Sequence, residues 1–326
     1  MLSRRTLMST GLSALAAGLA RPAWAAPLDT LVLAGPPAPP SLYLAHMARQ
    51  EALQPFAKAV RFGSWKSPDQ LRAGVLSGNY QVAATPVNVA AMLHRKGVPV
   101  RLLDVTVWGI LSILSTDPGI GSIADLKGRE LAVPFRGDMP DLVLTVLLHR
   151  AGLVPGRDVR ITYVGTPFEG VQLFIARRVV SVLLPEPAST AALMRGRALG
   201  LAPRRAIDLQ EAWAKLVGGS GRIPQAGTLV QAKLAAKRPD LVAALRQGAQ
   251  AAIAWIGASR ADAARLGAEL FGLDAEIVLQ SLKSTPLAWR SAHESRGEIE
   301  RFYSTLAEID PAVIGGGLPD GTFYLG

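Results

Sequence analysis

The residues best suited to chemistry fall just after short apolar runs. Arg136 stands before Gly137, Asp138 and Asp141. A guanidinium fork pairs bidentately with an oxyanion, so Arg136 is the first candidate for holding an anion. Its plain alternative is a solvated surface arginine. Asp138 and Asp141 can accept from a ligand donor, and Asp138 can instead cap the helix that follows. Ser41, after Pro39 and Pro40, is either a donor or part of a stiff turn and cap. Trp65 and Ser67 form a further pair, in which the indole is a ligand platform or a lid on the core. Thr85 reads as a helix cap, and Asn88 lies on the first turn behind it. Trp108 ends an apolar strand, where core packing is favoured over ligand contact. Thr166 caps a helix and can offer its hydroxyl, and Glu186 begins a Glu-Pro turn. Arg136 favours a sulfonate, carboxylate or similar anion. Asp138, Glu186 and the tryptophans favour an aromatic or amine-bearing ligand. The anion is the preferred reading.

Other chemistry is missing. The chain has no cysteine, which excludes disulfides, thiolate metal sites and cysteine nucleophiles. It has no Gly-x-Ser-x-Gly elbow, no phosphate loop, no His-Glu-x-x-His and no GxGxxG after the first strand. Gly218-Gly219-Ser220-Gly221 lacks the lysine and preceding strand of a phosphate loop. His46, His94, His149 and His293 are scattered and read as structural or surface residues. We expect no catalytic residue, no metal and no cofactor, so the reading is a binding protein and not an enzyme.

The elements that position these residues form a repeated strand–turn–helix pattern. Leu31–Ala34, Ala59–Phe62, Tyr80–Ala84, Glu130–Val133, Val159–Val164 and Val179–Leu184 read as strands. Each runs into a turn that carries a helix-start signal. Ser67-Pro68-Asp69-Gln70 and Thr166-Pro167-Phe168-Glu169 are capping boxes with proline at the first helical position. Six such junctions predict an α/β fold with mostly parallel sheets, three units before residue 115 and three after it. Ligand crevices in such sheets lie at the carboxyl ends of the strands, where helix starts offer free N–H groups. After about residue 205 the pattern turns mainly helical, with a long helix expected near 291–309.

The first 25 residues read as an export signal. A basic start precedes the apolar run Leu12–Ala20, and Ala23-Trp24-Ala25 supplies the small residues of a cleavage site after Ala25. Ser3-Arg4-Arg5-Thr6-Leu7 resembles a twin-arginine signal. The full chain has 326 residues and a net charge of +10. Cleavage would leave 301 residues with +7, apolar enough at 49% overall to bury a sizeable core. An unanchored, exported protein without disulfides fits the periplasm. Arg177, Arg178, Arg195, Arg197, Arg204 and Arg205 cluster in the second half, but no aromatic interleaves with them, so no nucleic-acid partner is expected.

Several stretches carry a family resemblance. Ser122–Pro134, with Asp125-Leu126-Lys127-Gly128, resembles the segment that opens the second lobe of periplasmic solute-binding proteins. Leu148–Val164 resembles the segment after it. Leu183–Pro187 resembles the Glu-Pro turn of the nitrate/sulfonate/taurine-type group of ABC transporters, and Arg238–Leu245 one of its helices. The chain departs from the pattern at Arg177–Ser181, where the group often has Gly-x-Val-Asp-Ala.

The resemblance implies a type II periplasmic binding protein, with a ligand cleft between two lobes. The expected division is 26–114 for the first part of lobe 1, 115–205 for lobe 2 and 206–326 for the rest of lobe 1. Hinges would lie near Leu114-Ser115 and Leu201–Asp208. The implied partners are a small-molecule ligand and an inner-membrane ABC permease with its ATPase, served by a monomer. Alternatives are a pyrimidine thiamine-precursor ligand or, in another class, an enzyme like the thiamine-pyrimidine synthases that share the fold.

Overall fold

The computed structural model describes residues 26–219 and 221–326, so the expected export signal lies outside the described residues. The first units are β1 (Leu28–Gly35), α1 (Pro40–Arg49), β2 (Ala57–Ser64), α2 (Pro68–Leu76), β3 (Val82–Pro86), α3 (Val87–Arg95) and β4 (Val100–Val107). The middle holds β5 (Leu111–Ser115), β6 (Glu130–Pro134), α4 (Met139–Arg150), β7 (Arg160–Val164), α5 (Pro167–Ile175), β8 (Ser181–Pro185), α6 (Ala188–Ala198), β9 (Arg204–Asp208) and α7 (Leu209–Leu216). The last part holds β10 (Ala226–Gln231), α8 (Ala232–Lys237), α9 (Pro239–Ala258), α10 (Arg260–Phe271), α11 (Ala275–Lys283), β11 (Leu287–Ser291) and α12 (Arg296–Ala307). Among the described residues no helix is long and apolar enough to cross a membrane.

Two sheets result. The first is ordered β11-β4-β10-β3-β1-β2 and the second β7-β6-β8-β5-β9. The six strands read from strand–helix junctions supply the parallel pairs β1–β2, β1–β3, β6–β7 and β6–β8. The remaining strands join antiparallel: β10 to β3 and β4, β11 to β4, and β5 to β8 and β9. The sheets are therefore mixed.

Strand alternation sends side chains to opposite faces and so builds a helix layer on each side. On β1, Leu31 and Leu33 pack with Leu42 of α1, Leu245 of α9 and Ala263 of α10. On β6, Leu131 and Val133 join the core that holds α4, while Ala132 faces the cluster of Phe174 on α5 and Ala192 on α6. The core over α4 continues across the lobes, through Trp213 of α7 to Ile299 and Phe302 of α12. The Trp213 and Phe302 ring centroids lie 5.5 Å apart. The lobes are thus packed along one edge and open along another.

The chain crosses between sheets twice, at 108–110 and between α7 and β10. Gly109 turns the first crossing with φ +105°, a conformation that a side chain disfavours. Gln225 ties the crossings together. Its N–H donates to the Val107 carbonyl at 2.9 Å, and its Oε1 accepts from Ile110 N–H at 3.0 Å. Because β5 and β9 belong to the second sheet, the first crossing precedes Leu114 and the second follows Asp208.

Candidate functional site

The turns after β1, β2 and β3 face the turns after β6, β7 and β8 across one cavity of about 510 Å³. Its walls include Trp65 and Thr85 from the first lobe, Phe135, Thr166, Phe168 and Glu186 from the second, and Ile110 and Gln225 from the crossings. The end of α10 closes one side through Phe271. The volume is that of a small-molecule site.

Two capping boxes shape this rim. Ser67 accepts from Gln70 N–H at 3.2 Å, and Thr166 accepts from Glu169 N–H at 3.1 Å. The reciprocal bonds reach one residue before each cap. Gln70 Oε1 accepts from Lys66 N–H at 2.7 Å, and Glu169 Oε2 accepts from Gly165 N–H at 2.7 Å. Phe135 takes a left-handed backbone at φ 59°, a conformation costing a non-glycine residue about 1–2 kcal/mol. Local strain at such a position is characteristic of functional sites.

Eight lining residues are prolines. Pro40, Pro140 and Pro167 sit in the first turns of α1, α4 and α5, and Pro86 and Pro187 immediately precede α3 and α6. Proline has no N–H to donate. Several remaining donors at these helix starts are occupied: Ser41 N–H by the Ala38 carbonyl, Val87 N–H by the Gln225 carbonyl and Thr190 N–H by Glu186 Oε2.

Of the expected site residues, Trp65, Thr85, Thr166 and Glu186 line the cavity. Trp65 is buried, and its indole N–H has no hydrogen-bond partner. Thr85 lies inside β3 and not at a helix cap, and its hydroxyl donates to the Pro86 carbonyl at 3.3 Å. Glu186 is 1% exposed. Its Oε1 accepts from Arg205 and its Oε2 from Thr190 N–H, so both carboxylate oxygens are engaged. Burial raises the Glu186 carboxyl above the usual range, while Arg205 pulls it back.

The other expected residues stand elsewhere. Ser41 is buried behind the proline turn and donates to the Pro36 carbonyl. Ser67 serves as the cap of α2. Asn88 is buried with an unpartnered Oδ1 and faces a separate hollow between the lobes, beside Arg72 and Asp138. Trp108 donates to the Ala288 carbonyl at 2.9 Å, and the guanidiniums of Arg222 and Arg290 lie over its ring at 5.3 and 5.7 Å. Arg136 is exposed and lies 5.1 Å from the Tyr163 ring centroid.

Asp138 stands at the N-cap position of α4, but its side chain makes no capping bond. Its carboxylate turns across the interlobe gap to Arg72, while Asp141 Oδ2 accepts from Gly137 N–H at 2.8 Å and its Oδ1 from the Tyr163 hydroxyl at 3.1 Å. Burial raises both carboxyls, against the pull of Arg72 at Asp138 and of Gly137 N–H at Asp141. Gln225, Phe135, Phe168 and Phe271 were not among the candidates. Phe168 sits in the second capping box and was readable there. The others have no motif around them and enter the wall only through tertiary packing.

Among the described residues no cluster of three or more His, Cys, Asp or Glu side chains could hold a metal ion.

No protein-family model and no curated protein matches this sequence. Solved structures do match its fold. The periplasmic aliphatic sulphonate binding protein SsuA of Escherichia coli aligns at TM-score 0.74 and 17% identity, over 91% of this chain and 92% of that one. An ABC transporter structure from Parabacteroides distasonis aligns at TM-score 0.73 and 22% identity, over 91% and 99%. The periplasmic nitrate-binding protein NrtA of Synechocystis PCC 6803 aligns at TM-score 0.64 and 17% identity, over 78% and 69%. The chain shares the two-lobed fold of these binding proteins.

Proposed function

We propose that this chain is the solute-binding component of an ABC importer, taking one small molecule into the interlobe cavity and presenting it to a permease. The observation that carries the reading is the convergence of six strand-to-helix turns, three from each sheet, on one cavity. A ligand held there touches both lobes. It therefore stabilises the closed arrangement in proportion to its contacts with the second lobe, and a permease can read that difference. The shared fold supports this role, since the matched proteins include binding proteins for a sulphonate and for nitrate.

The proposal includes export to the periplasm, supported by the N-terminal sequence pattern, and action as a monomer with an inner-membrane permease and its ATPase. It also includes release of the ligand unchanged. Native mass spectrometry of the protein purified from its own periplasm tests the reading. The expected spectrum shows one small molecule per chain, recovered intact on denaturation. A spectrum with no bound solute, or a bound molecule converted to another on incubation, would overturn it.

A further inference from the structure

We infer that the cavity selects a solute whose buried part is an apolar ring system, and not a small oxyanion. The inference rests on the cavity being the solute site and names the chemistry it takes.

The donor supply is poor. Helix starts attract anions through free N–H groups. Here proline removes one at α1, α4 and α5, and Pro86 and Pro187 bring none at α3 and α6. Several polar side chains of the wall are engaged within the protein, while the buried Trp65 indole N–H is an unpartnered donor. Thr85 donates to Pro86, Gln225 accepts from Ile110, and Glu186 is held by Arg205 and Thr190. The one cationic side chain among the described lining residues is Lys66, and it is exposed at the rim. A small oxyanion drawn inside would exchange its hydration shell for few donors, the Trp65 indole N–H among them, which is unfavourable.

The apolar supply is rich. Trp65, Phe135, Phe168 and Phe271 stand around a space whose walls also carry eight prolines and the apolar side chains of Ile110, Met139 and Leu270. Flat aromatic faces and stiff pyrrolidine rings fit another ring, by offset stacking and edge contact. The volume of about 510 Å³ is far more than nitrate or sulfate would fill, and suits a bicyclic or larger body. A charge on such a solute would stay at the mouth near Lys66.

Titration calorimetry of the signal-free chain with naphthol, methanesulfonate and nitrate tests this. Naphthol is expected to bind saturably at one per chain, at least about tenfold more tightly than either anion, because only it buries apolar surface. Phe168→Ala removes a half-buried ring from the wall and should weaken naphthol about fivefold or more, measured at a temperature where the variant remains folded by circular dichroism. Methanesulfonate or nitrate binding more tightly than naphthol would overturn the ring class and leave the solute-binding reading standing. Absence of saturable naphthol binding, or naphthol binding unaffected by Phe168→Ala, would also overturn the ring class. The solute-binding reading falls separately, by an empty native mass spectrum.

Discussion

Arg72 on α2 reaches across the interlobe gap to Asp138 before α4, with Nη2 and Oδ1 2.6 Å apart. The pair is partly buried, with side-chain exposures of 28% and 12%. It joins the lobes directly and so favours the closed arrangement. Exposed pairs contribute up to about 1 kcal/mol, and burial here places this one at the upper end. Arg72→Ala should therefore raise the radius of gyration of the unliganded protein in solution scattering and weaken ligand binding about fivefold. An unchanged radius would mean that the pair does not bias the lobes.

Glu186 lines the cavity, but its carboxylate is committed to Arg205 and Thr190 N–H. Breaking a buried pair leaves a charge uncompensated, here partly relieved by the exposure of Arg205. Glu186→Gln is expected to destabilise the fold by about 2 kcal/mol in urea, with ligand affinity changed less than about twofold. A tenfold loss of affinity at unchanged stability would show that the carboxylate meets the solute.

Asp104 on β4 is fully buried and accepts from Thr228 N–H at 2.9 Å and from the Trp289 indole N–H at 3.1 Å. Burial pushes its carboxyl up to about 6, from an ordinary value of 3.8. The folded value exceeds the unfolded one. The contribution therefore favours folding below about pH 4 and is lost as pH rises through about 6. Asparagine cannot titrate. The stability of the native chain relative to Asp104→Asn should fall by about 3 kcal/mol between about pH 4 and 7, following the two-unit shift. Parallel pH profiles in urea melts would contradict this.

Gly227 on β10 lies against the backbone of β4, where a Cβ would sit 1.9 Å from the Asp104 carbonyl oxygen. No flexible side chain can yield there. Gly227→Ala should cost at least about 3 kcal/mol or prevent folding, while Gly257→Ala, in open space on α9, should be neutral or slightly stabilising. Equal melting temperatures for the two variants would refute the close approach.

The parallel half of the fold was legible because each of its strands ends in a recognisable helix start. Ser67 and Thr166 cap as their spacing requires. Of the antiparallel strands, β4 was legible only as an apolar strand ending at Trp108, while β5 and β10 carried no helix-start signal and β10 has Gly227 in mid-strand. Candidate residues on the turns reached the cavity at Trp65, Thr85, Thr166 and Glu186. The anion preference rested on Arg136 together with the helix starts, and Arg136 lies over Tyr163 at the surface. The prolines were each visible as local helix-start devices. Their shared wall exists only in three dimensions, so no spacing in the chain announces it.

That wall has a thermodynamic consequence. A proline has one backbone angle already fixed and almost no side-chain freedom to surrender. A solute entering between such rings orders little that was not ordered before, so less of its contact energy is offset by immobilising the host. Calorimetry at several temperatures should show the negative heat-capacity change of apolar burial with a small conformational entropy penalty. Stiff walls also adapt poorly, so a solute of the proposed ring class would be chosen by its outline more than by its charge.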